Sequence, residues 1–301
     1  MLGSLNVDLA LASERLPREG ETLLVSGQAP QPGGKGGNQA VQAARLGAAV
    51  EMIGRVGDDA FGLQLLDALA VDGVGTSLVG VAADRPTGMA VVVSLPSGGN
   101  SILVSPGANH AWTLSDVDAA EATIAGASML LLQLEVPVAV VQRAVKIAGS
   151  NRVPVLLNPA PAADVPPGLL SGCDYLVPNQ HEAAALTGIV VDGLESAAAA
   201  ARALQARGAG VVVVTAGALG AVVAGPGEDP VAVPGRQVSA VDSTAAGDSF
   251  CGALAVALCG GASPREAATF ACEVAALTVT RRGSQGSLPR RDQLAAPAGT
   301  A

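Results

Sequence analysis

Aromatic side chains are scarce in this chain: 301 residues hold three Phe, one Tyr and one Trp. Its core must be packed from aliphatic side chains, and a site that stacks a planar base between rings is poorly provided for. Only two histidines exist, His110 and His181, and neither has a sequence neighbour that would make it catalytic. The four cysteines, Cys173, Cys251, Cys259 and Cys272, form no CxxC pair, which argues against a zinc site or a disulfide framework. Cys251 and Cys259, eight apart on one expected helix, read as small core residues sharing a face. Basic residues cluster nowhere beyond Arg281-Arg282 and Arg290-Arg291, and the formal net charge is −9, so nucleic acid is excluded as a natural partner. No apolar run approaches the ~18 residues of a membrane helix, and no basic-then-apolar leader opens the chain. A reduced, cytoplasmic protein fits these absences. Neither a GxGxxG fingerprint nor a Walker A loop is present, which speaks against a dinucleotide enzyme and a P-loop enzyme.

What the chain has is an alternation of aliphatic runs and Ala-rich helical stretches. Runs at 50–56, 129–134, 153–157, 175–177 and 211–214 read as strands, and their continuous apolar character suits a parallel sheet buried on both faces. Helical stretches at 37–46, 61–71, 138–148, 182–186 and 195–207 lie between them. The rhythm predicts a doubly wound α/β fold with a mostly parallel sheet flanked by helices. One region departs from it. Runs at 87–95 and 101–105 flank Pro96-Ser97-Gly98-Gly99-Asn100, a hairpin signal, and 21–27 is also strand-like. These predict a small antiparallel β lid contributed by about 9–32 and 86–106 within a single domain spanning 1–301. The tail after Asp292 is expected to fray. Met1-Leu2 leaves almost no strand before Gly3-Ser4-Leu5-Asn6-Val7-Asp8, which reads as a strand's end. Either that first strand is a stub or the natural start lies upstream, and the second is the expectation.

The chemistry collects in three places. Val241-Asp242-Ser243-Thr244-Ala245-Ala246-Gly247-Asp248-Ser249-Phe250 sets small residues and a glycine before an aspartate that opens an apolar helix. A helix start offers unpaired N–H groups and a positive dipole end to an anion, with Asp248 beside it as a base. An ordinary capping segment would use the same residue types. Pro32-Gly33-Gly34-Lys35-Gly36-Gly37-Asn38-Gln39-Ala40 permits close backbone approach and lets Lys35 and Asn38 bind one polyhydroxylated molecule. Asn179-Gln180-His181-Glu182 puts an amide and a carboxylate three residues apart, a spacing suited to Mg²⁺ held through water; His181 points elsewhere. Listing the residue after each strand gives Asp8, Glu135, Asn158, Asn179 and Thr215. In open α/β sheets the ligand crevice lies at that edge.

These segments, in this order, resemble the ribokinase (PfkB) family of carbohydrate kinases from Gly3 to about Pro289. The likeness rests on GSLNVD at 3–8, GGKGGNQA at 33–40, LQLE at 132–135, NPAP at 158–161, PNQHE at 178–182, TAGALG at 215–220, VDSTAAGDSF at 241–250 and VTRRGSQGSLP at 279–289. It implies ATP-dependent phosphorylation of D-ribose at the 5-hydroxyl. Asp248 would be the base, with the amides of Ala245, Ala246, Gly247 and Asp248 as an anion hole. Asn6, Asp8, Gly34, Lys35, Asn38 and Glu135 would hold the sugar. Nucleotide contacts would fall on Asn179, Thr215, Gly217, Gly220 and Gly247. Cys272 would lie near the adenine, where a larger ring-bearing residue is common. Glu182 would serve the Mg²⁺ water shell. An activating K⁺ would sit at Asp242 and Thr244, closed by Thr278, Arg281, Gly283 and Ser287 largely through backbone oxygens. The lid would also pair two subunits as a homodimer.

Three other readings compete: a kinase of the same family acting on deoxyribose, a ketohexose or a nucleoside; a silent sugar-binding sensor; and an NAD-dependent dehydrogenase. The shortage of aromatics opposes a nucleoside, the intact Asp248 opposes a sensor, and the missing dinucleotide fingerprint opposes the dehydrogenase.

Overall fold

Continuous aliphatic runs become the buried strands of a parallel sheet, as their lack of alternation requires. The structure is a computed structural model, which describes residues 1–27, 29–95, 100–162 and 165–294. In chain order the strands are β1 (Asn6–Ala12), β2 (Ser26–Gly27), β3 (Gln31–Gly33), β4 (Glu51–Gly57), β5 (Gly75–Ala82), β6 (Gly88–Ser94), β7 (Asn100–Ser105), β8 (Leu130–Leu132), β9 (Val155–Leu157), β10 (Tyr175–Leu176), β11 (Val211–Thr215), β12 (Gly220–Ala224) and β13 (Val231–Pro234). The main sheet runs β13-β12-β11-β10-β9-β8, and β4-β5 extends it beyond a gap. Leu2 bridges that gap by pairing in parallel with both Ile53 and Leu132. Its N–H donates to Leu131 O and the next N–H, of Gly3, to Ile53 O, both at 3.1 Å. Leu2 thus has a place in the sheet.

Pairing is parallel from β8 to β11 and between β4 and β5, and antiparallel through β11, β12 and β13. Strand periodicity divides the core. Leu130, Leu132, Val155, Leu157, Val212 and Val214 face one side, where the helix Val138–Ser150 packs with Val141, Ala144 and Ala148. Leu131, Leu156 and Val213 face the other, against the helices Ala246–Cys259 and Pro264–Thr278. Truncating one of these fully buried residues, such as Leu132→Ala, is expected to cost about 2–5 kcal/mol. Among the described residues no helix is long and apolar enough to cross a membrane.

The second sheet has the order β2-β1-β6-β7, with β3 also on β1. It is mixed, not wholly antiparallel as expected: β1 runs parallel to β6 over seven residue pairs, Asn6↔Gly88 to Ala12↔Ser94. The hairpin of β6 and β7 forms as read, with Ser94 opposite Asn100; its turn at 96–99 lies outside the described residues. The strand expected at 21–27 shrinks to Ser26–Gly27. Glu21 instead closes a local turn, paired with Arg15 and accepting from Arg18 N–H at 3.0 Å, and Leu24 is fully exposed. The tail holds one further helical turn, Arg291–Leu294, and the rest of it lies outside the described residues. The shared core face of two cysteines also needs correcting: Cys251 is buried but Cys259 is exposed. Eight residues at 3.6 per turn leave about 80° between them, which swings the second one out at the helix end.

Candidate active site

A cavity of about 280 Å³ lies between the carboxyl ends of the main-sheet strands and the second sheet. Ala90 and Val92 of β6, and Ile102 and Val104 of β7, are paired across the hairpin and turn one face of it toward the cavity. From the main sheet come Glu135, Asn158, Asn179 and Thr215. Asp8 also lines the cavity, although it lies within β1 and not after it. The run read as a strand's end is itself the start of a strand in the second sheet. A larger cavity, of about 610 Å³, surrounds Met1 at the opposite strand ends. Apart from the Met1 ammonium, Glu51 and Arg291, its lining carries no charge, and it converges no set of polar groups.

The loop before the helix Lys35–Arg45 can fold only with glycine at its turn. Gly34 has φ 82, and a Cβ there would come 2.7 Å from Asn6 N. The helix then delivers Asn38 and Gln39 to Asp248. Asn38 Nδ2 donates to Asp248 Oδ2 at 2.9 Å and Gln39 Nε2 donates to Oδ1 at 3.1 Å. Burial pushes the Asp248 carboxyl up, opposed by Lys35 and by these two amides, and the net direction is up. Desolvation works against the Lys35 charge, but Asp248, Glu135 and Glu182 outweigh it and hold the ammonium above its ordinary value.

The other polar groups are held as firmly. Ser4 Oγ donates to Glu135 Oε2 at 2.5 Å while accepting from Gly36 N–H at 3.2 Å, and Lys35 N–H donates to the same carboxylate oxygen at 3.1 Å. Asn109 Nδ2 donates to Asn6 Oδ1 at 2.7 Å, which fixes the amide of Asn6. Ser284 Oγ donates to Asp8 Oδ2. Burial pushes the Asp8 carboxyl up to about 6 against the pull of Ser284, with Glu135 and Asp248 adding repulsion and Lys35 opposing it. Asn38 Oδ1 is buried without a hydrogen-bond partner among the described residues. Such an acceptor fits a ligand hydroxyl.

The helix Ala246–Cys259 starts unlike its neighbours. The helix Pro264–Thr278 is closed by a capping box of Ser263 and Glu266, whereas Ala246–Cys259 follows Ala245 in the left-handed region, φ 59, with no side-chain cap. Ser243 to Gly247 line the cavity, and a Cβ on Gly247 would meet nothing within 4 Å. Ala246 N–H is bonded to Ser243 O at 3.2 Å, and the amides of Gly247 and Asp248 have no backbone partner among the described residues, as an anion cradle requires. Asn179 and Glu182 also cap a helix: Asn179 N–H donates to Glu182 Oε2 and its Nδ2 to Oε1, each at 2.8 Å. Both still line the cavity. Burial raises the Glu182 carboxyl, opposed by the Asn179 N–H.

Three residues expected at the nucleotide lie outside this cavity's lining. Gly217 and Gly220 form the turn from β11 to β12, where a Cβ on Gly220 would come 2.1 Å from Val233 O. Cys272 is buried in the core on the helix Pro264–Thr278, and Cys251 is the cysteine that lines the cavity.

Asp242 organises the loops beside the cradle. Its Oδ1 accepts from Thr244 N–H at 2.9 Å and Thr244 Oγ1 at 2.7 Å, and its Oδ2 from Gly283 N–H at 2.9 Å. Burial works against its charge, yet these hydrogen bonds prevail and hold the carboxyl below its ordinary range. Thr278 and Ser287 are buried, their hydroxyls bonded to Val274 O and Ser284 O. Arg281 turns its guanidinium away to Gln293, so only its backbone could face an ion. An ionised carboxylate among hydroxyls and carbonyls fits a large monovalent cation. Among the described residues no group of three or more His, Cys, Asp or Glu could hold a metal directly; Glu182 acting through water fits Mg²⁺ better.

Ser4, Gln39, Asn109, Gln133 and Ser284 escaped the reading of the sequence. One signal was available: Gln133 interrupts the aliphatic run Leu130-Leu131-Leu132-Gln133-Leu134 and is fully buried.

The profile described as pfkB family carbohydrate kinase matches residues 1–291. A ribokinase of Haemophilus influenzae is 40% identical over 293 residues, covering 97% of this chain and 95% of that protein. A deoxyribokinase of Salmonella typhimurium is 36% identical over 294 residues, covering 97% and 96%. The solved structure of Arabidopsis thaliana ribokinase complexed with ribose and ATP matches with a TM-score of 0.89 at 35% identity, covering 97% and 96%.

Proposed function

The chain belongs to the pfkB family of carbohydrate kinases, and from that premise we propose that it transfers the γ-phosphoryl group of ATP to the 5-hydroxyl of D-ribose, giving ribose 5-phosphate and ADP. One observation carries the reading: a buried carboxylate, Asp248, is clamped by two amides at the mouth of an uncapped helix start. Asp8, Glu135, Asn6, Lys35 and the free acceptor of Asn38 hold the sugar. Asp248 takes the proton from the 5-hydroxyl as its oxygen bonds to the γ-phosphorus and the bond to the β-phosphate oxygen breaks. The amides from Ala245 to Asp248 and the Lys35 ammonium stabilise the charge that develops on the transferring group. Catalysis is then positioning and electrostatics.

Glu182 would hold Mg²⁺ through water, where it would neutralise phosphate charge, and Asp242 and Thr244 would hold K⁺ beside the loop before the cradle. The second sheet acts as a lid over the sugar. Leu103 of β7 and Leu24, in the loop before β2, are exposed, which supports pairing of two subunits there. A second reading, 2-deoxyribose as the acceptor, is favoured by the deoxyribokinase relative.

The test is ADP release with ATP and Mg²⁺ across D-ribose, 2-deoxyribose, fructose and adenosine, in K⁺ and again in Na⁺. Ribose-dependent turnover that falls in Na⁺ supports sugar and cation together. Turnover on another acceptor moves the substrate, and ribose binding with no turnover on any acceptor sinks the kinase reading.

A further inference from the structure

We propose that Gln39, oriented by Gln133, is a positioning residue that fixes the Asp248 carboxylate as a proton acceptor. The inference rests on the reading of Asp248 as the base. Gln39 and Gln133 are both fully buried. Gln39 Nε2 donates to Asp248 Oδ1 at 3.1 Å and to Asn158 Oδ1 at 3.3 Å, while its Oε1 accepts from Gln133 Nε2 at 2.9 Å. A primary amide can turn either end toward a neighbour, and here only one end works. Flipped, Gln39 would set its carbonyl against the Asp248 carboxylate and the Asn158 carbonyl, and its NH₂ against the NH₂ of Gln133.

The two supports of Gln39 are held differently, Asn158 by a hydrogen bond and Gln133 by packing, its Nε2 also 3.1 Å from Met1 Sδ and its Oε1 without a partner among the described residues. Asn158 Nδ2 donates to Val177 O at 2.8 Å, which aims its Oδ1 at Gln39. Gln133 reaches across from the end of β8 through space left by Gly3, where a Cβ would lie 2.0 Å from Gln133 Oε1. The strand ends of the main sheet thus set the orientation of the base through two amides.

Gln39 differs from Asn38 in one decisive respect. Asn38 lines the cavity and carries a free acceptor, so it can serve base and sugar alike. Gln39 is absent from the cavity lining, and its side chain bonds to the base, Asn158 and Gln133 but to none of the residues assigned to the sugar. The groups facing Asp248 are Lys35 in favour of its charge and Glu135, Asp8 and Glu182 against it, with the neutral Cys251 thiol alongside. Burial drives this carboxyl toward its neutral form, and the Gln39 N–H is one of the few forces opposing that.

Gln39→Met keeps the length of the side chain and removes its donor. Losing a hydrogen bond to a charged group should move the acid limb of the kcat–pH profile up by about one to two units. At neutral pH kcat should fall about tenfold while ribose affinity by calorimetry changes less than about threefold. Gln133→Met alone should shift the limb in the same direction by less, and should add nothing in the Gln39→Met background. An unmoved acid limb in a folded Gln39→Met enzyme overturns the proposal, as does additivity of the two substitutions. Equal losses of kcat and ribose affinity tracking a lowered Tm also overturn it, since they mark a merely structural role. Where Gln39→Met does not fold, the limb of Gln133→Met decides. Asp248→Asn separates the two levels: turnover retained in that variant removes the base and the proposal with it. An inactive Asp248→Asn beside a wild-type profile for Gln39→Met removes the proposal alone.

Discussion

Asn38 donates through Nδ2 to Asp248 Oδ2 at 2.9 Å and keeps its own Oδ1 buried without a partner among the described residues. Leaving a buried acceptor unsatisfied costs about 1–3 kcal/mol, and a bound sugar hydroxyl would recover that. Asn38→Leu should therefore weaken ribose binding by about 10- to 100-fold. It should lower kcat as well, because the base loses a donor. Calorimetry with ribose, set against steady-state rates, reads both effects. An unchanged ribose affinity would remove Asn38 from the sugar site.

Replacing the base itself separates binding from chemistry. Asp248→Asn keeps the size of the side chain and abolishes proton acceptance, so kcat should drop by about 10²–10⁴-fold. Ribose affinity should stay within a few-fold, since Asp8, Glu135 and Asn38 remain. Single-turnover ADP formation measures the first and calorimetry the second; turnover near the wild-type rate would sink the assignment.

How much of this was readable in advance depends on the kind of residue. The strands of the main sheet were legible because burial on both faces writes continuous aliphatic runs such as Val211 to Val214. Glu135, Asn158, Asn179 and Thr215 followed from their places at the carboxyl ends. Asp8 was read at the cavity, which it lines, but misplaced in the sheet, because Met1-Leu2 hid the boundary between the Leu2 bridge and β1. The support layer was not legible. Ser4, Asn109, Gln133 and Ser284 bond to partners 131, 103, 94 and 276 positions away. No local pattern encodes such contacts. Cys259 shows a smaller failure, in which the angular drift of the helix over eight residues defeated a shared-face argument.

The acidity of Asp8 makes a pH-dependent prediction. Burial lifts its carboxyl to about 6, and the ionised form is the better acceptor for sugar hydroxyls. The ionised form is favoured above that value and lost as pH falls through it. Ribose affinity should accordingly be full at pH 8 and decline below about pH 6. Ser284 donates to this carboxylate and stabilises its charge, so Ser284→Ala should move the midpoint to higher pH. At pH 6.5 the variant should bind ribose more weakly than wild type, and at pH 8 the two should approach each other. Ribose titrations at several pH values check this, and coincident midpoints would detach Ser284 from the sugar site.

Gly247 offers a test in which stability and activity should move in opposite directions. It is the second residue of the helix Ala246–Cys259, and a Cβ there meets no atom within 4 Å. Alanine is preferred over glycine in helices by up to about 1 kcal/mol, so Gly247→Ala should fold and melt at or slightly above the wild-type temperature. Yet the space that the methyl would take borders the amides assigned to the transferring phosphoryl group. Losing an oxyanion donor outright costs about 10²–10³ in rate, and a methyl that displaces the anion without deleting the N–H should cost somewhat less, about tenfold or more. The methyl meets none of Asn38, Asp8 or Glu135 within 4 Å, so ribose affinity should not change where the cradle and the sugar pocket are separate halves of one cavity. Thermal melts, ATP kinetics and ribose calorimetry on this one variant thus test the division of the cavity directly. An unchanged rate with ATP would mean that the anion does not approach the start of this helix.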